Sequence, residues 1–309
     1  MIKGLNPALL NQAQALQPDF VNAYPFEHIV IDDFLDEDLC EGLLQDFPNF
    51  DKKLAINEDG AIGRKSVHEK VCGLGASYQT LDTMAASAAF RDWVSQLTAI
   101  PELQYDEHYF GGGTHENLSG QGLDPHVDFT HHPFSGQYRR LNLIIYLNKE
   151  WESRWGGNIE LHKNPRLKPD EDDIISVEPL FNRAVIFATH HTSWHGFPPI
   201  QIPLQKGDLS RKSFALYYYT KEKPVKFNKA HSTIYVDRHM SDKIQAGHTL
   251  DEADYLELQR LFSSRDQHLE RLYNTISDQM DDLQKLKSMY GLLWKFTWPL
   301  RKIRRWFKR

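Results

Sequence analysis

An α+β chain that is mainly β is the fold class the sequence predicts, and three observations carry it. Residues 100–220 hold short β-rich runs, "LNLIIYLN", "AVIF" and "SFALYYYT", parted by Gly, Pro, Asn and charged residues, which reads as a β sandwich or barrel. Helical spacing precedes that core. Helical spacing also follows it, in a charged C-terminal stretch.

Taken in order, "FEHIVIDDFL" alternates apolar and polar residues as a strand does. "DEDLCEGLLQDF" follows with helical spacing and acids in its first turn, and "TLDTMAASAAFRDWVSQLTAI" reads as a second helix. Helices ahead of a β core are expected to support one sheet of the sandwich. The boundary is placed near Lys221–Lys229, giving a domain at 1–222 and a helical extension at 223–309.

In that extension Tyr255, Leu258, Leu261 and Phe262, then Leu269, Leu272, Tyr273 and Ile276, recur in steps of three and four, the mark of an amphipathic helix. From Gly291 the tail "GLLWKFTWPLRKIRRWFKR" holds seven Lys or Arg and no acid. On a helical wheel Leu292, Phe296, Ile303, Trp306 and Phe307 share a sector with Leu300 at its edge, largely opposite Arg301, Arg304, Arg305 and Lys308. Pro299 is expected to end one stretch and begin a second short helix. A basic, Trp- and Phe-rich segment of this kind fits an interfacial anchor on anionic lipid. The competing reading is a helix that packs on the domain or on another subunit.

Composition narrows the classes. A chain of 309 residues, 40% hydrophobic, can bury a large core. A net charge of −6 argues against a nucleic-acid binder. Two cysteines, Cys40 and Cys72, are too few for a disulfide scaffold and fit a reduced, cytoplasmic setting, peripheral on the inner membrane face if the tail binds lipid. Neither a signal peptide nor a transmembrane helix is expected.

The stretch "LDPHVDFTHHP" concentrates three histidines and two aspartates. With fifteen His in the chain, roughly one H-x-D triplet is expected by chance. A surface strand pair is therefore the competing reading of His126-Val127-Asp128. On a strand, however, the period of two sends His126 and Asp128 to one face, as a non-haem ferrous site with two His and one carboxylate requires. The third ligand must come from a distant strand, and His190, His191 and His195 in "VIFATHHTSWHGFPPI" are the candidates. Farther on, Arg211 and Ser213 share a strand face, and a buried Arg is costly unless it meets an anion. His131 and His132 are expected on a solvated loop, and Trp155 as a packing residue.

The order H-x-D, "RLNLIIYLNKEW", "WGGNIEL", "NRAVIF", "SWHG", R-x-S resembles the ferrous iron and 2-oxoglutarate dependent dioxygenases, and most of all their prolyl 4-hydroxylase-like branch, over roughly 25–220. That resemblance implies a double-stranded β-helix, or jelly-roll, with iron held by His126, Asp128 and His195. It implies Arg211, with Ser213 beside it, as the grip on the far carboxylate of 2-oxoglutarate, and Tyr109, Tyr146 and Asn142 as further cosubstrate contacts. Cofactors so implied are Fe(II), 2-oxoglutarate and dioxygen, with ascorbate left open as a reductant. The reaction implied is hydroxylation with release of succinate and CO2. Two loops depart from the pattern, "GGGTHENLSGQGLDP" and "PPIQIPLQKGDLS", and they put the substrate in doubt. The tail also resembles those of some bacterial glycosyltransferases of surface-polysaccharide assembly, which points to an envelope glycan or lipid-linked sugar. Small molecules, a peptide acted on by a protein prolyl hydroxylase, and a catalytically silent membrane-associated jelly-roll scaffold are the alternatives.

Overall fold

A computed structural model describes residues 2–51, 53, 55, 65–207 and 209–306, with side chains described to 289. The chain divides into two units, Met1–His239 and Met240–Arg309.

The first unit is built on two antiparallel sheets. Its strands are β1 (His28–Ile31), β2 (Ser66–His68), β3 (Gln104–Tyr105), β4 (Gly113–Asn117), β5 (Leu123–Val127), β6 (Tyr138–Tyr146), β7 (Ile159–His162), β8 (Ile174–Val177), β9 (Ala184–Ala188), β10 (Trp194–Phe197), β11 (Arg211–Thr220) and β12 (Ile234–Tyr235). The larger sheet runs β1-β9-β6-β11-β4-β2, with β3 also on β11, and the smaller runs β12-β5-β10-β7-β8. Between β4 and β11 each strand crosses to the other sheet from the one before it, except that β7 and β8 are neighbours in the smaller sheet, which is the jelly-roll course of a double-stranded β-helix.

Period-two alternation sorts the long strands of the larger sheet. Leu141, Leu143 and Ile145 of β6 and Phe214, Leu216 and Tyr218 of β11 face outward, into one core with the helices α1 (Ala13–Val21), α2 (Glu37–Gln45), α3 (Ala76–Ala86) and α4 (Ala88–Thr98). Ile144, Tyr146, Val185 and Phe187 face inward against Ile159, Leu161 and Val177 of the smaller sheet. The second helix expected from the sequence is two helices. Ser87 sits in extended backbone between them (ψ 142°), and its hydroxyl accepts from Phe90 N at 3.2 Å, capping α4.

Residues 221–229, where the sequence placed the domain boundary, are followed by β12. This strand pairs Ile234 with Val127 and Tyr235 with His126 on the edge of β5, so the first unit ends only at His239. Cys40 is buried, Cys72 is exposed, and both are free thiols.

The second unit contains one long helix, α5 (Glu252–Trp306). A reciprocal capping box starts it: Asp251 Oδ1 accepts from Asp254 N at 2.8 Å and Asp254 Oδ2 accepts from Asp251 N at 3.2 Å. Pro299 does not end it, contrary to the sequence expectation. A proline removes one backbone donor and bends the axis locally, which a helix extended on both sides can absorb. The apolar and basic faces of the tail, Leu292 to Lys308, lie outside the described side chains. Among the described residues no helix is long and apolar enough to cross a membrane.

Asn182 ties the N-terminal segment to β6. Its backbone N donates to Tyr146 O at 2.9 Å and its carbonyl accepts from Phe34 N at 2.9 Å. Its side chain accepts from Leu35 N at 2.8 Å and donates to Leu35 O at 2.9 Å, with φ at 57° in the left-handed region. Asn182→Ala strands two buried backbone groups and puts Cβ strain where Asn is tolerated. It is expected to cost about 2–5 kcal/mol in urea unfolding, and a loss below about 1 kcal/mol would show this tie to be dispensable.

Candidate metal centre

Antiparallel pairing of β5 and β10 sets His195 directly opposite His126. Gly196 permits it, because a Cβ there would lie 2.6 Å from Leu123 O, where the two strands approach closely. Asp128 follows two residues after His126, and one ligand atom from each of the three lies within 4.8 Å of the others. Among the described residues this is the one set of three His, Cys, Asp or Glu side chains so arranged. His190 and His191, the other candidates for the distal histidine, stand apart, with His190 Nε2 3.1 Å from Glu27 Oε2.

The imidazoles are oriented for metal binding. His126 Nδ1 meets Asp124 O at 2.9 Å and His195 Nδ1 meets Ser193 O at 2.9 Å. Each Nδ1 must carry the proton to bond a carbonyl, which leaves both Nε2 lone pairs facing inward. Those nitrogens lie 3.8 Å from Asp128 Oδ1 and 3.5 Å from Asp128 Oδ2 respectively. Burial keeps both histidines neutral: it pushes His126 down to about 3 and lowers His195, in each case against the pull of Asp128. Two neutral imidazoles and one carboxylate, buried together with their lone pairs converging, form a donor set that fits a ferrous ion.

Asp128 is held on its far side. Asn142 Nδ2 donates to Asp128 Oδ2 at 2.8 Å, and Arg139 Nη2 lies 3.2 Å from the same oxygen. Burial alone would push this carboxyl up, but the Arg139 guanidinium and the hydrogen bond from Asn142 hold it well below the usual carboxylate range. The other oxygen, Oδ1, is thereby left for an ion. Arg139 is itself 3% exposed, stacks its guanidinium 3.6 Å from the Tyr217 ring centroid, and donates to Asn142 Oδ1 at 2.7 Å. Burial opposes its charge, yet Asp128 raises its pKa above the ordinary value.

Arg211 is 4% exposed on the inner face of β11. Its Nε donates to Gly157 O at 2.6 Å and its Nη2 to the Tyr146 hydroxyl at 3.1 Å, with Phe197 beneath at 4.2 Å. Among the described residues no carboxylate pairs with it, and burial lowers its pKa. Gly157 (φ 71°) makes the room, since a Cβ would meet Trp151 at 2.9 Å and Arg211 Cδ at 3.2 Å. Ser213 is buried on the same face, in register with Tyr146.

Two expected contacts sit elsewhere. Tyr109 turns away into the helix-side core, where its hydroxyl donates to Asp82 Oδ1 at 3.0 Å and its ring meets Phe214 edge-on, so it does not reach the site. Asn142 is on the expected face, but its amide is committed to Asp128 and Arg139 instead of a cosubstrate. His132 is not on a solvated loop: it is 4% exposed and 3.1 Å from Asp106 Oδ1. His131 packs on Tyr138 and Phe227, and Trp155 packs on Trp151, Ile200 and Ile202 as expected.

Four residues of the site escaped the sequence reading. Arg139 was hidden by a β-bulge between β6 and β11, and Tyr235, stacked 5.1 Å from the His126 ring, by the placement of the domain boundary. Lys65 Nζ lies 3.4 Å from His115 Nε2, and Lys65 is within electrostatic reach of Asp128, Arg139 and Arg211. Burial lowers Lys65 to about 8 and His115 well below its ordinary value. No short motif marks this last pair.

Residues 112–219 match the family model of the 2OG-Fe(II) oxygenase superfamily. No curated protein matches the chain. Among solved structures, a prolyl hydroxylase from Trichoplax adhaerens, in complex with a hypoxia inducible factor oxygen degradation domain peptide fragment, is 17% identical, with 70% of this chain and 94% of that chain covered and a TM-score of 0.47. A Pseudomonas putida prolyl-4-hydroxylase is 15% identical over 68% and 99% of the two chains, TM-score 0.42. HygX from Streptomyces hygroscopicus, with nickel and 2-oxoglutarate bound, is 11% identical over 72% and 96%, TM-score 0.45.

Three buried histidines, His115, His126 and His195, have folded pKa values depressed below the unfolded value of about 6.5. Below that pH the unfolded chain takes up protons that the native fold refuses. Their contribution is therefore fully present above about pH 6.5 and is lost as pH falls toward the folded values. His115 and His126 each contribute a slope of up to about 1.4 kcal/mol per pH unit in that window, and His195 adds in the same direction. Urea unfolding of metal-free protein at pH 7 and pH 5 checks this, and equal stability at the two would contradict neutral burial.

Proposed function

We propose, from the match of residues 112–219 to the family model of the 2OG-Fe(II) oxygenase superfamily, that His126, Asp128 and His195 hold ferrous iron and that Arg211 receives the far carboxylate of 2-oxoglutarate, in a hydroxylase of a polar, anionic glycan or lipid-linked sugar. The observation that carries the cosubstrate reading is the buried Arg211, which has no carboxylate partner among the described residues and which Tyr146 flanks with a hydroxyl.

When bound, iron with 2-oxoglutarate and dioxygen supplies the oxidative decarboxylation that releases succinate and CO2 and inserts one oxygen atom into a substrate C–H bond. The protein supplies the rest. Two neutral imidazoles and a carboxylate locked on one side give a facial donor set with the remaining directions open. Lys65, Arg139 and Arg211 bring three cations to the surroundings of Asp128, with Glu69 also within electrostatic reach of Lys65, an excess of positive charge that suits a dianionic cosubstrate. Trp151, Phe197 and the close strands around Gly157 exclude water from the Arg211 end, where a guanidinium–carboxylate pair is strongest.

The substrate reading rests on the mouth beside Asp128. It is edged by Phe129, Phe227 and Arg139 and by His191, Lys229 and His231, a mixture of aromatic and cationic side chains. Such a rim suits a sugar ring carrying an anionic group. The basic, acid-free tail from Gly291 supports a location at an anionic membrane face. Gain of one oxygen atom on glycans rather than on prolyl peptides, read by mass spectrometry, separates this reading from a protein prolyl hydroxylase.

Arg211→Ala is expected to raise the 2-oxoglutarate concentration needed for half-maximal succinate formation by about 30- to 1,000-fold, as loss of one partner of a buried charge pair does. Tyr146→Phe should raise it by only about 5-fold. An anaerobic titration with Fe(II) and 2-oxoglutarate that gives no visible charge-transfer band in wild type would instead favour a silent scaffold. For the tail, full-length protein should float with anionic liposomes and a chain ending at Tyr290 should not; equal flotation removes the anchor.

A further inference from the structure

Residues 255–289 of α5 carry a seven-residue repeat that single-helix amphipathicity does not explain. Tyr255, Phe262, Leu269, Ile276 and Leu283 follow one another at intervals of seven. Three residues after each come Leu258, Arg265, Leu272, Gln279 and Leu286. These are the a and d positions of five heptads, and eight of the ten are apolar. The positions that would face away from a partner, such as Glu257, Arg260, Gln267, Asn274, Asp281 and Lys285, are polar almost throughout; Leu256 is the exception.

Among the described residues of the second unit most of this stripe is uncovered; Leu258, at its N-terminal end, is half-buried. Phe262 is 60% exposed, Leu269 51%, Leu272 52%, Ile276 49%, Leu283 51% and Leu286 52%. A row of half-bare large side chains is costly in water unless another surface closes over it. A strict seven-residue repeat also drifts by about 20° per heptad on a straight helix, so a neighbour that follows it must wind around it. A globular surface does not wind, but a second copy of the same helix does.

We propose that α5 pairs with α5 of a second copy of this chain as a parallel, in-register, two-stranded coiled coil over 255–289. The seam residues, with Tyr273, Met280 and Met289 beside them, offer on the order of 1,000 Å² per chain, or about 2,000 Å² for the pair, against roughly 1,600 Å² in a standard stable interface. Charge favours the parallel arrangement. In that register Asp282 at a g position faces Lys287 at the following e position of the other helix, once on each side. Arg265 at d lies next to Asp266 at e of the other helix. Run antiparallel, the same register would set Asp282 against Leu261 and Arg265 against Ile276. The two polar layers, Arg265 and Gln279, fix the register, because any slip by a heptad would bury each against an apolar residue.

Light scattering on the eluting full-length chain should give about twice the 36.0 kDa chain mass, and the double variant Ile276→Glu/Leu283→Glu should give the mass of one chain. The thermal transition of the first unit should be unchanged in that variant, which separates lost pairing from misfolding. Leu286→Cys, made with Cys72→Ser so that the exposed native thiol does not compete, should oxidise to an interchain disulfide, since antiparallel strands would place residue 286 opposite 255. A single-chain mass for wild type, a double variant that stays paired, or a Leu286→Cys chain that fails to cross-link overturns the proposal.

Discussion

The pairing of His195 against His126 across β5 and β10 is the constraint on which the site depends. Two imidazoles from segments about seventy residues apart can converge only if both strands lie in one sheet in one register. A slip by one residue would turn one of them to the opposite face. Three features hold that register. Gly196 allows the close approach to Leu123, β7 pairs with β10 on its other side, and β12 closes the free edge of β5. Tyr235 of β12 then stacks on the His126 ring, so the strand that completes the sheet also fixes a donor.

Electrostatics divides the cavity into two ends with different requirements. At one end Asp128 is a buried acid, and Arg139 and Asn142 absorb the cost of burying it by pairing with one oxygen. At the other, Arg211 is a buried cation whose partners are a carbonyl and a phenol. A charge buried beside dipoles alone is an unfavourable arrangement in a resting fold, and a bound anion would relieve it. The fold thus holds one compensated charge and one uncompensated charge on the same inner face, an asymmetry that suits a site taking up a cation and an anion together.

Much of this was legible because the strands keep strict alternation. Period two placed His126 with Asp128, Asn142 with Tyr146, and Arg211 with Ser213, and the structure puts each pair on the inner face. Where alternation breaks, the reading fails. On β6 the parity of Leu141, Leu143 and Ile145 would send Arg139 outward to the helices. A bulge, in which Tyr218 pairs with Leu141 and Tyr219 with Arg139, skips Arg140 and turns Arg139 inward. Tyr109 fails for a related reason: it precedes the glycine turn into β4, where no strand period applies, and the helix layer claims its ring. His132 looked solvated because its partner Asp106 lies far back in the chain. In each case the missing information was a long-range contact that leaves no local pattern.

The helical extension shows the converse case, a pattern that is local but fits two periods. Steps of three and four describe both a helix lying on a globular surface and one wound around a twin, and they diverge only over several heptads. Over 255–289 they separate, because a seven-residue repeat on a straight helix drifts by about 20° per heptad, or about 80° between Tyr255 and Leu283. The distinction bears on the tail as well. One short basic amphipathic segment binds an anionic surface weakly and reversibly. A parallel pair delivers two such segments to the same end of one stalk, where the second engages at high effective concentration once the first is bound. Lipid affinity of the tail and pairing of the helix are then coupled quantities: a chain unable to pair would lose far more membrane binding than the halving of its basic residues implies.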